Sequence, residues 1–356
     1  MVFVRIVSGL FGLFIVIGTL ISAIKTFILP RGINVWLTAV TFRTIFFFFR
    51  LRVRNASYEK RDHVMALFAP LTLFFLPLVF LVMVLIGYMF IYWAIKPQPI
   101  YDIFKLSGSS LLTLGYASVE QPIFKVLEFS EAIIGLVLVA LLIAYLPTMY
   151  AAFSKRESNI ALLDGWASSP PSAVEFISRI HRNGEIENLR DFWMEWQRWF
   201  ADLEESHTSL SALSFFRSPQ PNRSWITAAG VVMDSAALLI STIDVPWEPQ
   251  AAFCIRSGFL ALRQIADLFN ISHNSTPQPG DPISISRIEF DEVCDMLVSR
   301  GVPLKADRDH AWQNFAGWRV NYDTVLLSLA SLTLAPYAKW VSDRSTVLQQ
   351  SKINKF

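Results

Sequence analysis

The chain has 356 residues, enough for two domains, and 53% of them are hydrophobic. Most of the excess of apolar residues lies before residue 155, so we expect the first part of the chain in a membrane and the second part outside it. The formal net charge of +2 gives no reason to expect a nucleic-acid partner. The sequence contains no phosphate loop, no nucleophile elbow and no zinc signature, so we do not expect an enzyme.

The first apolar run, Val2 to Leu29, carries only Arg5 and Lys25 as charged residues. It is long enough to cross a bilayer core of about 30 Å. A cleaved signal peptide is the alternative interpretation, but the run is too long for one and no convincing small-x-small cleavage site follows it. We therefore predict a retained transmembrane helix.

The second apolar run, 35–49, is short for a membrane span and has Arg43 at its centre. A central arginine costs about 2.5 kcal/mol or more on insertion scales. We predict an interfacial helix, and a fourth span stays open as the alternative. The basic residues after it belong in the cytosol under the positive-inside rule, which makes 1–63 an N-terminal helix, an interfacial helix and a basic cytosolic loop. They are Arg50, Arg52, Arg54, Lys60 and Arg61.

The longest apolar stretch predicts an outer helix over 64–96. Its apolar part would be about 48 Å long, so it should tilt, or bend at Pro70 or Pro77, to fit the bilayer. Tyr92 and Trp93 are expected in an aromatic belt at the outer membrane face.

Two more helices follow, on either side of a short polar stretch. Residues 100–112 have the length of a helix that crosses half the membrane, and 128–154 predict a second full span. Pro147 removes a backbone hydrogen bond, and we expect it to kink this inner helix near its inner end.

The polar stretch between these helices contains Thr113-Leu114-Gly115-Tyr116, which resembles the selectivity filter of tetrameric potassium channels. The usual form of that filter is Thr-Val-Gly-Tyr-Gly. The resemblance implies that the backbone oxygens of this stretch, with those of Ala117, replace the water around a permeant cation. It implies a filter over 113–117 within a pore module over 64–156.

The flanking segments resemble a bacterial group of two-helix pore-loop potassium channels that carry an additional N-terminal helix. The matching motifs are Leu-Pro-Arg at 29–31, Tyr-Leu-Pro-x-x-Tyr at 145–150, Ala-Phe-Ser-Lys-Arg-Glu at 152–157 and Ser-Pro-Pro at 169–171. The resemblance implies a multi-pass protein of the plasma (inner) membrane with a cytoplasmic, all-helical C-terminal domain. It also places Gly135 near the flexible glycine of channel inner helices. For Gly135 and Pro147, a role at the gate and a role in helix packing both stay open.

Two departures from the filter pattern bear on selectivity. Ala117 stands where the second glycine is usual, and alanine costs about 1 kcal/mol or more per subunit if that position needs a positive φ. Ser118 stands where an aspartate is usual, so the hydrogen bonding at the outer mouth must differ. A weakly selective cation channel is therefore the first alternative to a potassium channel.

The rest of the chain predicts a linker over 157–171 and a cytosolic helical domain over 172–356. Ser172-x-x-Glu175 predicts a capping box at the first helix of this domain. An aromatic stripe at helical spacing over 189–203 indicates core packing. The stretch 225–243 is as apolar as a membrane span, but Asp234 interrupts it, and we predict a helix buried in a bundle. Further helices are predicted over 249–271, 286–299 and 306–334.

The remaining reactive side chains give no sign of a second site. Cys254 and Cys294 are expected to be small buried hydrophobes. The histidines are too scattered to bind a metal, and we expect them in solvated or capping positions. They include His181, His207, His273 and His310.

The sequence as a whole predicts an all-α membrane protein that assembles as a homotetramer, because each chain supplies one pore loop of a four-fold ring. We expect contact with membrane lipid and no cofactor, the ligand at the filter being permeant K⁺. The stimulus for gating is undetermined, and a regulatory ligand or protein at the C-terminal domain stays open. The alternative from another class is a membrane-anchored sensor or scaffold with a vestigial filter.

Overall fold

The computed structural model describes residues 2–28, 35–53 and 58–344, with the backbone alone for Tyr58, Glu59 and Arg61. Over these residues the chain is all-helical, as predicted, with thirteen α-helices, one 3₁₀ helix and a single isolated bridge between Ile243 and Leu304. The Leu-Pro-Arg motif at 29–31 and Arg54 lie outside the described residues.

The chain divides into two compact units. The N-terminal unit comprises Met1–Asn55 and Leu67–Ala151, and the C-terminal unit comprises Ala56–Ala66 and Ala152–Phe356. The helices of the N-terminal unit are α1 (Val2–Phe27), α2 (Trp36–Val53), α4 (Phe68–Ile95), α5 (Ile100–Leu111) and the first part of α6 (Pro122–Ala167).

Within the described part of the chain, four segments are long and apolar enough to cross a membrane: Val2–Phe27, Asp62–Ile95, Pro122–Ala167 and Trp225–Thr242. Segments of this kind indicate a membrane protein. Helix α2 is not one of them, because arginine residues interrupt its apolar face.

Helices α1 and α4 pack closely and run antiparallel. The Arg5 side chain donates to the carbonyl oxygens of Ala94, at 2.7 Å, and Ile95, which are at the C-terminal end of α4. Further along α1, a Cβ atom on Gly12 would lie 2.4 Å from the carbonyl oxygen of Gly87. Small residues let membrane helices approach this closely. Arg5, near the start of α1, therefore donates to carbonyl groups at the end of α4 that have no hydrogen-bond partner within that helix.

The predicted outer helix 64–96 is divided in the structure. Residues Tyr58–Ala66 form α3, which belongs to the C-terminal unit, and α4 begins at Phe68. The described part of the predicted basic loop is therefore helical. Pro77 lies inside α4, which continues through it.

Helix α6 is longer than the predicted 128–154 at both ends. It begins at Pro122, where a missing backbone N–H has no cost, and continues through Pro147. It ends at Ala167, so most of the predicted linker 157–171 is helical. The physical reason is that residues 148–164 contain no glycine or proline, and charged residues alone do not end a helix.

The helices of the C-terminal unit surround α9 (Trp225–Thr242), and all 18 of its residues are buried. Its Asp234 accepts two hydrogen bonds from Arg319, at 2.6 and 2.8 Å, and one from Tyr322 at 2.8 Å. The predicted buried helix is thus confirmed. Besides α3, the end of α6 and the 3₁₀ helix Ser211–Phe215, the described helices of this unit are α7 (Ala173–Arg182), α8 (Arg190–Ser209), α10 (Pro249–Leu268), α11 (Arg287–Ser299), α12 (Arg308–Arg319) and α13 (Asp323–Leu332).

Two local predictions for this unit are wrong. The single helix 306–334 is interrupted between α12 and α13, and the interruption lets Arg319 and Tyr322 both bind Asp234. Ser172 precedes α7 but its side chain makes no cap. Its backbone N–H donates to the carbonyl oxygen of Ala167 at 3.0 Å, and Glu175 accepts from Arg300 at 2.6 Å, so the capping box does not form. A complete capping box occurs at α11, between Ser286 and Glu289.

The aromatic stripe 189–203 is confirmed as core, and both cysteines are buried. His207 departs from the predicted solvated or capping role, because it is fully buried within α8. Its Nδ1 lies 2.9 Å from the carbonyl oxygen of Leu203, and its Nε2 lies 3.3 Å from the Arg156 guanidinium. Burial, followed by repulsion from Arg156, holds the pKa of His207 well below its ordinary value.

We expect the stability of the C-terminal unit to fall as the pH drops below about 6.5, where His207 binds a proton in the unfolded chain but not in the folded one. Above that pH, histidine is neutral in both states and the effect vanishes. His207→Gln cannot take up the proton, so its stability should depend less on pH. Both cysteines of the chain are buried in this unit, so thiol labelling of the full-length protein in urea would report its unfolding. Labelling at pH 5 and pH 7.5 is compared with that of the fully unfolded chain at the same pH, because the reactive thiolate becomes scarcer as the pH falls. Equal pH dependence in the two proteins would contradict the expectation.

Candidate functional site

The stretch predicted as a filter follows directly on a short helix. Helix α5 has 12 residues and is about 18 Å long, enough to cross half a bilayer. Its C-terminal carbonyl groups point along the helix axis and carry partial negative charge, which favours a cation. Leu114 donates its backbone N–H to the carbonyl oxygen of Ser109 at 2.8 Å, and Thr113 donates to that of Ser110 at 3.0 Å. The last turn of α5 thus holds the start of the stretch.

The backbone of the stretch enters the left-handed region at two separate residues. Thr113 has φ of 55° and Gly115 has φ of 71°. Glycine adopts this region readily, whereas a β-branched threonine there is an outlier that costs about 1–3 kcal/mol. Ala117 is not in the left-handed region, so the cost considered for alanine at that position does not arise in this conformation.

The side chains of the stretch face outward from the chain. Leu114 is 60% exposed and Tyr116 is 64% exposed, whereas Leu111, at the end of α5, is buried. Large apolar side chains with this exposure leave room for contact with another surface. The oxygens of this stretch are its backbone carbonyls and the hydroxyl groups of Thr113 and Tyr116.

Hydrogen bonds hold the segment that follows the stretch. Ala117 donates its N–H to the hydroxyl of Ser109 at 3.0 Å. The Ser118 hydroxyl and the Val119 N–H each donate to one carboxylate oxygen of Glu128, both at 2.9 Å. The position where aspartate is usual is therefore connected to α6 through Glu128.

A second carboxylate of α6, that of Glu131, is fully buried against α5. It accepts from the Tyr92 hydroxyl of α4 at 2.9 Å and from the Ser107 hydroxyl of α5 at 2.5 Å. The prediction that Tyr92 lies in an aromatic belt is therefore wrong, because its side chain is buried in the packing of the helices. One carboxylate connects three helices of the N-terminal unit.

Gly135 has a packing role in this structure. A Cβ atom at Gly135 would lie 2.2 Å from the carbonyl oxygen of Leu111, at the end of α5. Only glycine lets α6 approach the end of α5 this closely. The hinge at Gly135 and the kink at Pro147 stay predictions.

The structure brings Thr113 to Ala117 together with Gly135 around the end of α5, and it adds residues that the sequence analysis did not assign. These are Ser107, Ser109, Glu128 and Glu131. Glu131 had a detectable signal, since an acidic residue within an apolar helix is costly unless it has a function or a partner. Ser107 had none, because its partners Leu85 and Glu131 are 22 and 24 residues away in sequence. Ser109 bonds residues only a few positions further on, but no local sequence pattern marks it. Among the described residues, no cluster of three His, Cys, Asp or Glu side chains could bind a metal ion.

Comparison of the chain with protein-family models, curated proteins and solved structures gives no match.

We expect Glu131→Ala to destabilise the N-terminal unit by about 1–3 kcal/mol, because the buried Tyr92 hydroxyl loses its acceptor. Ser107 has a second acceptor, the carbonyl oxygen of Leu85 at 3.2 Å. Adding Tyr92→Phe to Glu131→Ala should therefore recover part of the loss. Thermal unfolding of the full chain in detergent measures both changes. Glu120→Ala is the control, since the Glu120 side chain is 96% exposed; an equal loss in that variant would contradict the expectation.

Proposed function

We propose that four copies of this chain form a potassium channel. The observation that carries the proposal is the exposed stretch Thr113–Ala117 at the C-terminal end of a half-length helix, between the long apolar helices α4 and α6. Four such stretches around an axis would surround a cation with peptide oxygens and replace its hydration shell. One chain supplies a quarter of that ring, so conduction requires assembly.

The same proposal gives an orientation in the plasma membrane. If the basic residues between 50 and 61 lie in the cytosol, α4 runs outward and α6 returns inward. Helix α1, antiparallel to α4, then runs inward and places the N-terminus outside. Helix α2 packs its phenylalanines on Phe68, at the start of α4, which suits a helix on the cytosolic membrane surface. The C-terminal unit is then cytoplasmic, and the chain crosses the membrane three times.

The proposal predicts a cation current from purified protein in planar bilayers, and it predicts that Gly115→Ala abolishes that current while the tetramer still assembles. Gly115 has φ of 71°, which alanine adopts only at a cost of about 1–2 kcal/mol. The matched control is Gly108→Ala, one turn before the end of α5, where a Cβ atom meets nothing within 4 Å. We expect Gly108→Ala to conduct.

Three outcomes would count against the channel: no current, a chloride current, or a current that Gly115→Ala leaves unchanged. A particle in detergent that is not a tetramer would favour the alternative of a membrane-anchored sensor or scaffold.

A weakly selective cation channel is a second candidate, and the observation that favours it is Ala117. Its backbone is outside the left-handed region and its N–H is bound to Ser109, so the outer end of the stretch differs from a glycine-containing filter. We expect Ala117→Gly to increase the selectivity for potassium over sodium, because glycine frees that peptide to adopt either hand. Reversal potentials under potassium and sodium gradients measure the change; the same ratio in both proteins would exclude this explanation.

A further inference from the structure

We propose that Glu128 is a positioning residue for the ion path, which fixes the outer end of the filter stretch to α6 and thereby sets ion selectivity. The inference rests on the proposed function, since it assigns a role within the same conduction site. It concerns a side chain that contacts the segment after the filter and not the permeant ion.

The geometry gives Glu128 two points of attachment. One carboxylate oxygen accepts from the Val119 N–H and the other from the Ser118 hydroxyl, both at 2.9 Å. Two bonds to consecutive residues fix the orientation of the segment as well as its distance from α6. The Glu128 side chain is only 11% exposed, so water competes little for these bonds.

The filter stretch has its other attachments on α5. Leu114 and Ala117 donate their N–H groups to the carbonyl and hydroxyl oxygens of Ser109, at 2.8 and 3.0 Å. The described side chains of the stretch are mostly exposed, so packing within one chain does little to fix it. Hydrogen bonds from α5 before the stretch and from Glu128 after it are what define its path.

The contacts of Lys125 distinguish the positioning role of Glu128 from a simple attraction of cations by its charge. Its ammonium group contacts the Ser118 hydroxyl at 2.5 Å and lies 3.8 Å from Glu128 and 3.6 Å from Glu120. The positive charge of Lys125 offsets the carboxylate of Glu128, so the contribution of Glu128 is its two accepted hydrogen bonds. Glu120 carries the same charge near the same lysine, and its side chain is 96% exposed.

The test compares Glu128→Ala with Glu120→Ala in the full-length channel, using reversal potentials in planar bilayers. Both variants remove one negative charge, but only Glu128→Ala releases the backbone. We expect Glu128→Ala to lower the ratio of potassium to sodium permeability by about tenfold, the factor that corresponds to about 1.4 kcal/mol. Glu120→Ala should keep the ratio of the wild type. Glu128→Gln retains one accepting oxygen and should recover part of the loss.

A second readout does not depend on current. Hydrogen–deuterium exchange over 113–121 should be faster in Glu128→Ala than in the wild type and in Glu120→Ala. If Glu128→Ala does not assemble, Ser118→Ala removes one of the two donors without changing charge and should show the same changes in smaller measure.

The outcomes separate the two proposals. If the wild type carries no cation current, the channel proposal is wrong. The hydrogen–deuterium exchange data then still decide whether Glu128 holds the segment that follows residues 113–117. A conducting wild type with unchanged permeability ratio in Glu128→Ala overturns the positioning role. Equal shifts in Glu128→Ala and Glu120→Ala also overturn it, because charge alone would then explain the effect.

Discussion

The N-terminal unit depends on the hydrogen bonds that the buried carboxylate of Glu131 accepts from Tyr92 and Ser107. Within a membrane there is no water to satisfy a polar group, so each hydroxyl must find a partner in the protein. These bonds fix the rotation of α4, α5 and α6 relative to one another. One turn further along α6, Gly135 lies against the end of α5 and fixes their separation. The position of the filter stretch follows from both contacts.

Helix α6 contacts the chain on both sides of residues 113–117. Glu131 holds the helix before the stretch, and Glu128 holds the segment after it. Backbone oxygens can select a cation only if their positions are maintained, and exposed side chains such as Tyr116 do not maintain them within one chain. In the proposed channel, movement of α6 would therefore reach residues 113–117 directly. The strained φ of Thr113 lies between these attachments, where surrounding structure can sustain it.

The C-terminal unit uses a buried charge in a similar way. Asp234 lies in the middle of an apolar helix, and Arg319 satisfies both of its oxygens. Removing one partner of such a pair leaves an uncompensated buried charge, which is strongly destabilising. Helix α9 is apolar enough to cross a membrane, yet the other helices of its unit bury all of it. The Asp234–Arg319 pair is the feature that marks α9 as a helix buried within the protein.

Apolar length and helical periodicity in the sequence determined the order of the long apolar helices and the half-length α5 before residues 113–117, and Asp234 within an apolar stretch indicated the burial of α9. These features are local, and a few neighbouring residues suffice to specify them. Only the tertiary structure decided where α12 ends, why Glu175 binds Arg300 instead of capping α7, and which hydroxyl groups Glu131 binds. Tyr92 and Glu131 are 39 residues apart, and Glu175 and Arg300 are 125 apart. Local patterns carry no information about such pairs, because their contact energy exists only once the helices have packed.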